Sequence, residues 1–116
     1  MNSLEVLSKK TFSTDKMQKV NLFETENMFC DLYCLLPGQA QKPHRHQGAD
    51  KIYQVLEGCG TFQIGAEEKP LEQGMIVLAP SDVDHGVKNS SRANLCLLVF
   101  MAPNPNKPSV ERPVMR

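Results

Sequence analysis

Apolar residues recur along the chain in short clusters of four to nine residues: 20–23, 28–36, 51–56, 61–64, 75–78, 85–89 and 95–101. Glycine and proline cut these clusters apart at Pro37-Gly38, Pro43, Gly48, Gly58, Gly60, Gly65, Pro70, Gly74, Pro80 and Gly86. Helices have little room between such breaks, whereas strands of ordinary length fit. The pattern predicts an all-β sandwich or barrel of short antiparallel strands.

The cluster at 28–36 is apolar at nearly every position, with Asp31 the exception, so both faces of that strand should be covered, by a second sheet or a partner subunit. Ile64-Gly65-Ala66-Glu67-Glu68 reads as a hairpin loop with Glu67 and Glu68 at its solvated tip. Near the start, Leu4, Val6 and Leu7 are candidates for an edge strand. The end changes character: residues 103–116 hold four prolines in fourteen residues, which removes ladder donors and predicts a tail outside the barrel rather than an arm laid on a surface. The organisation expected is therefore an N-terminal arm (1–19), a barrel (20–102) and a proline-rich tail (103–116).

A chain of 116 residues with 41% hydrophobic residues suffices for one domain, which excludes two-domain readings. Thirteen basic residues balance thirteen acidic ones, leaving no surplus charge for a phosphate backbone, so nucleic acid is not an expected partner. The longest apolar run, 95–102, is eight residues, against the roughly 20 that a membrane helix needs. Lys9 and Lys10 stand where a signal peptide would require apolar residues, and the expected location is the cytoplasm. Cys30, Cys34, Cys59 and Cys96 form no C-x-x-C pair and read as free thiols acting as small core residues.

The chemistry concentrates in three histidines. His44 and His46 flank Arg45, and on an extended strand residues i and i+2 share a face about 6–7 Å apart, so two imidazoles converge while Arg45 points away. His85 follows the turn Pro80-Ser81-Asp82-Val83-Asp84, where a barrel can bring it opposite the pair. Ser81, Asp82 and His85 are also the residue types of a hydrolase triad, but they crowd one turn and lack a G-x-S-x-G setting. Gly58-Cys59-Gly60 lacks the helix of a dinucleotide site, and Tyr53 is expected to line or fill the barrel.

Gly38, five residues, His44-x-His46, then an acidic position and Gly58 resembles the first motif of the cupin superfamily, G-x5-H-x-H-x3-4-E-x6-G. Gly74, Pro80, His85 and Asn89 resemble the second, G-x5-P-x-G-x2-H-x3-N, with Asp82 where glycine is usual. Aspartate also tolerates a left-handed turn. The resemblance covers residues 38–89, extends through strand-like flanks to about 20–101, and implies a small single-domain cupin: an all-β double-stranded β-helix, or jelly-roll barrel. It also implies a homodimer and one divalent transition metal (Fe, Mn, Ni, Cu or Zn) held by His44, His46 and His85.

The carboxylate position departs from the family. Counted back from Gly58 it is Lys51, with Asp50 one residue earlier; in a regular strand Lys51 points into the barrel and Asp50 out, unless a bulge near Gly48 reverses them. An ammonium about 5 Å from a divalent ion is repelled by several kcal/mol at an effective dielectric near 20, so it must lose its proton, swing away or pair with an acid such as Asp50. The resemblance thus implies three neutral histidines, with Lys51 or Asp50 as charge or acid/base groups nearby. Two functions stay open: a dioxygenase- or lyase-like enzyme on a small polar molecule, or a non-catalytic cupin that binds a sugar or small acid.

Overall fold

The computed structural model describes residues 1–107 of the chain. Among them nine strands follow a short 3-10 helix at Val6–Lys9: β1 (Gln18–Glu24), β2 (Phe29–Leu35), β3 (Ala40–His44), β4 (Asp50–Glu57), β5 (Cys59–Ile64), β6 (Glu67–Glu72), β7 (Ile76–Ala79), β8 (His85–Lys88) and β9 (Leu95–Ala102). They form two antiparallel sheets, ordered β1-β2-β9-β4-β7 and β3-β8-β5-β6, that enclose one core. The architecture is a double-stranded β-helix, a jelly-roll barrel, as the motifs imply.

Alternation decides which side chains enter. Along β4, Lys51, Tyr53 and Val55 are buried while Ile52 and Gln54 between them are half-buried. The inward residues of β2, β4, β5, β8 and β9 supply Leu35, Val55, Phe62, Val87, Leu95 and Leu97 to a continuous apolar cluster. The tight hairpin turns at Gly65-Ala66, so Glu67 and Glu68 begin β6 as exposed strand residues rather than forming a tip. The polar sequence of β6, Glu67-Glu68-Lys69-Pro70-Leu71-Glu72, buries only Leu71, which is why hydrophobic pattern alone overlooks it.

Three further expectations are corrected. Leu4, Val6 and Leu7 form no edge strand; Glu5 caps a single 3-10 turn by accepting from the N–H groups of Leu7 and Ser8. That N-terminal segment covers the outer face of β2, where Val6, Leu7 and Phe12 pack on Leu32, Cys34 and Cys96. The cover required for the doubly apolar strand is thus the chain's own beginning. Of the cysteines, Cys30, Cys34 and Cys96 are buried, but Cys59 is exposed on β5.

After β9 the described part of the proline-rich stretch, residues 103–107, lies against the barrel rather than away from it. Asn104 is buried and its Nδ2 donates to Glu24 Oε2 and to the Thr25 carbonyl, each at 2.9 Å. The expected tail beyond, 108–116, falls outside the described residues. No helix among the described residues is long and apolar enough to cross a membrane.

Candidate metal centre

The site is assembled where β3 and β8 pair. His44 and His85 are direct partners across that ladder, and a bulge between Gln41 and His44 re-aims the end of β3. Gly86 permits the approach, because a Cβ there would lie 2.7 Å from the Gln41 carbonyl oxygen and 2.9 Å from the Pro43 nitrogen. His46 follows two residues later on the extended chain and shares the face of His44.

The turn before His85 is braced from several sides. Asp82 adopts φ 64°, the left-handed conformation usually left to glycine, and its N–H donates to the His46 carbonyl at 2.9 Å. Arg45 points out of the site, as alternation requires, and its Nε lies 2.7 Å from Asp84 Oδ1. Ser81 N–H donates to Asp50 Oδ1 at 2.9 Å. Asp50 is therefore an exposed brace for the turn, and the bulge that would have turned it inward is absent. The motif asparagine, Asn89, is also structural: its buried amide donates to the carbonyls of Leu35 and Ala93.

One nitrogen from each of His44, His46 and His85 lies within 4.8 Å of the others. His44 Nδ1 is 2.9 Å from the Lys42 carbonyl and His85 Nδ1 is 3.0 Å from the Val83 carbonyl. A carbonyl only accepts, so both Nδ1 atoms carry the proton and both Nε2 atoms present bare lone pairs. His44 Nε2 and His46 Nε2 are 3.0 Å apart, and His85 Nε2 is buried with no hydrogen-bond partner among the described residues. A buried acceptor left unsatisfied costs about 1–3 kcal/mol, so three converging imidazole nitrogens with one orphan fit a divalent transition metal. Burial lowers the pKa of all three, to about 4 for His46 and His85, with the neighbouring Lys51 charge adding to the effect. Neutral imidazole, the form that ligates, is the resting state at neutral pH.

Lys51 enters the barrel, 1% exposed, where a glutamate would be usual for this motif. Its Nζ is 3.2 Å from Gln41 Oε1, which also accepts from Tyr53 Oη at 2.6 Å, and it lies over the rings of Tyr33 and Tyr53, 5.2 and 4.8 Å from their centroids. Burial, helped by the charge of Lys19, pushes the Lys51 pKa down to about 7, while burial pushes Tyr33 up to about 12. A lowered pKa, which lets this lysine exchange between ammonium and amine near neutral pH, rather than pairing with Asp50, is how it meets its surroundings.

Beside the histidines opens a cavity of about 320 Å³, walled by His44, His46, Lys51, Lys19, Asp31 and Asn106 among others. Lys19, Asp31, Gln41 and the segment carrying Pro105 and Asn106 are site residues that sequence reasoning missed. Asp31 carried a signal, as the lone acid in an apolar strand. Gln41 did not, because the bulge in β3 breaks the alternation that would have matched it to His44.

Comparison with known proteins agrees with the fold. The family model for the cupin domain matches residues 31–101. A crystal structure of a protein from Thermus thermophilus superposes with a TM-score of 0.89 at 44% identity, covering 90% of this chain and all of that one. An uncharacterised protein of Aquifex aeolicus is 26% identical over 106 residues, 91% of this chain and 86% of its own length. An oxalate-binding protein of Thermotoga maritima is 30% identical over 67 residues, which cover 58% of this chain and 55% of that protein.

Proposed function

The chain belongs to the cupin-domain family, and from that premise we propose that it is a metal-dependent cupin acting on a small polar anion. The observation that carries this reading is His85 Nε2, buried, without a partner among the described residues, and facing the nitrogens of His44 and His46. Iron, manganese, nickel, copper and zinc all suit three imidazoles. When bound, such an ion supplies Lewis-acid or dioxygen-activating chemistry.

The chain's own groups select and orient the ligand. Lys51 and Lys19 put two cationic side chains on the cavity wall against one carboxylate, Asp31, and among the described residues no acid joins the histidines to offset the charge of an ion. A small carboxylate is the complementary occupant. The Thermotoga relative named for oxalate binding supports a compact dicarboxylate. Phe29, Tyr33 and Met101 supply the apolar part of the wall, which limits water around the bound molecule. With a pKa near 7, Lys51 Nζ is able to take or deliver a proton at the substrate, the acid/base role; Asp50 drops out because it faces solvent.

The enzyme reading is dioxygenase- or lyase-like. The second reading, a non-catalytic carboxylate-binding cupin, is favoured by the same pair of lysines, which would serve ligand binding without any reaction. Protein purified without a histidine tag and loaded in turn with iron, manganese, nickel, copper and zinc decides between them. Oxygen uptake or carbon dioxide release with oxalate and a panel of small hydroxy acids and diketones, lost in His85→Ala, establishes the enzyme. Saturable binding that survives metal removal without turnover establishes the binder. A protein that takes up none of the five metals, with unchanged stability, overturns the metal reading.

We further propose a cytoplasmic homodimer. Ile76, Leu78 and Phe100 leave an apolar patch on the outer face of the five-stranded sheet, next to the part that the N-terminal segment covers. A species of 13.0 kDa at all concentrations in sedimentation would exclude the dimer.

A further inference from the structure

On the outer face of the five-stranded sheet, away from the histidines, two thiols stand opposite each other. Cys34 of β2 and Cys96 of β9 are direct partners in the antiparallel ladder, and both are fully buried in one small cluster. Directly opposed residues in such a ladder have Cα atoms about 4.5–5.5 Å apart, inside the range of about 4.4–6.8 Å that a disulfide spans. The two side chains pack together on that face with Leu32, under Val6, Leu7 and Phe12 of the N-terminal segment. Lys10 stands nearby, paired with Glu57 at 3.2 Å. Cys30, further along β2, faces Phe100 and has no thiol opposite.

We infer that Cys34 and Cys96 form a redox-active dithiol that a hydroperoxide converts to a disulfide. Lys10 favours a thiolate at either sulfur, and with the two directly opposed in the ladder one attacks the oxidant while the other resolves the product. With Cys34 as the attacker, its thiolate bonds to the terminal peroxide oxygen; the O–O bond breaks, an alcohol (water, from hydrogen peroxide) leaves after protonation, and Cys34 becomes a sulfenic acid. Cys96 then attacks that sulfur, the S–S bond forms, the S–O bond breaks, and water departs with the Cys96 proton. Two thiols lose two electrons in total, and the peroxide gains them.

Access to the pair is gated by the N-terminal segment. Val6, Leu7 and Phe12 cover the thiols, yet none of residues 6–9 is buried, and the segment is tied down by the exposed Lys10–Glu57 pair and by Gln39 Nε2 donating to the Ser13 carbonyl at 2.7 Å. Such a segment opens locally at far lower cost than the barrel unfolds.

The test is to treat the full-length protein with hydrogen peroxide, alkylate the remaining thiols and fragment the products by mass spectrometry. The expected result is a loss of two hydrogen atoms and a cross-link between Cys34 and Cys96, with Cys30 still alkylated. In Cys96→Ser, dimedone should capture a sulfenic acid at Cys34, and in Phe12→Ala the cross-link should form several-fold faster. Oxidation of the exposed Cys59 while Cys34 and Cys96 remain fully alkylated would overturn the inference, and this readout on the unmodified protein holds even if a buried substitution prevents folding.

Discussion

The barrel interior has two ends built by the same strands from opposite materials. Walking along β4, Lys51 lies opposite Met101, then Tyr53 opposite Val99, then Val55 opposite Leu97. At the far end Leu35, Val55, Val87, Leu95 and Leu97 are 0–3% exposed and purely apolar. At the near end the wall holds three histidines, Gln41, Asp31 and Lys51. Alternation brings both sets inside with equal ease, since it sorts positions and not chemistry. The apolar end gains from burial, whereas the polar end is displaced from its solution state by it: three histidines and Lys51 fall in pKa, and Tyr33 rises. One end holds the fold, and the other is held by it.

The largest effect expected from breaking this contrast is on metal affinity. His85→Ala removes one of three ligands and should lower affinity by at least about a hundredfold, more than the loss of an outer-shell partner costs. Metal-free stability should stay nearly level, because the substitution also removes a buried unsatisfied nitrogen. Calorimetric titration with zinc, beside urea denaturation in a chelator, measures both. In the unsubstituted protein, protonation competes with the ion, and since burial lowers the pKa of all three imidazoles, affinity should be lost only below the ordinary histidine value of 6.5. Collapse already near the ordinary histidine value of 6.5 would mean that the imidazoles are solvated. At the opposite end, Leu97→Ala should cost about 2–5 kcal/mol of unfolding free energy. Its metal stoichiometry should remain that of the parent under native conditions.

The two ends also differ in how far the sequence reveals them. The apolar end is legible because the clusters at 28–36, 51–56, 61–64, 85–89 and 95–101 each supply buried residues, and the histidines are legible because H-x-H needs only strand geometry. Asp82 in a left-handed turn and Lys51 pointing inward likewise follow from local rules. What stayed hidden depends on contacts distant in sequence. Gln41 reaches Lys51 only through a bulge, the N-terminal segment covers β2 only once the sheet exists, and Asn104 finds Glu24 eighty residues away. β6 was missed for a different reason: its sequence, Glu67-Glu68-Lys69-Pro70-Leu71-Glu72, buries a single residue, and β3, Ala40-Gln41-Lys42-Pro43-His44, which also buries only one, was legible only at its histidine end.

Lys51 is where the contrast is sharpest, since it occupies an inward position between apolar neighbours. A buried ammonium whose pKa falls from 10.5 to about 7 costs the fold several kcal/mol, so Lys51→Met, which puts an apolar side chain in its place, should stabilise the metal-free protein by about 2–4 kcal/mol below pH 7. The pH dependence identifies the cause. With a folded pKa near 7 against the ordinary 10.5, the unfolded chain binds the extra proton between those values, so the parent gains stability as pH rises through that window. The advantage of Lys51→Met should therefore be full below about pH 7 and vanish near 10.5. Urea denaturation of both proteins in chelator across that range gives the measurement, and an advantage independent of pH would mean that packing rather than charge is responsible. The same substitution should weaken carboxylate binding to the zinc-loaded protein, which separates the role of Lys51 in the site from its effect on the fold.

The smallest effect concerns the rim, where residues 103–107 join the polar end from outside the barrel. Asn104 is 3% exposed; its Nδ2 donates to Glu24 Oε2 and the Thr25 carbonyl, and its Oδ1 accepts from the Asn106 N–H at 2.9 Å. In Asn104→Ala these bonds are lost together, but Glu24 and Thr25 are exposed and regain water, so the cost to global stability should be only about 1 kcal/mol. The local consequence is greater than the global one, because Pro105 and Asn106 wall the cavity only while Asn104 fixes the segment beneath them. Oxalate affinity of the zinc-loaded variant should accordingly fall several-fold with metal stoichiometry unchanged. Titration calorimetry on parent and variant makes the comparison. Equal affinities would show that the polar end is complete within the barrel, and that the segment after β9 rests against the site without shaping it.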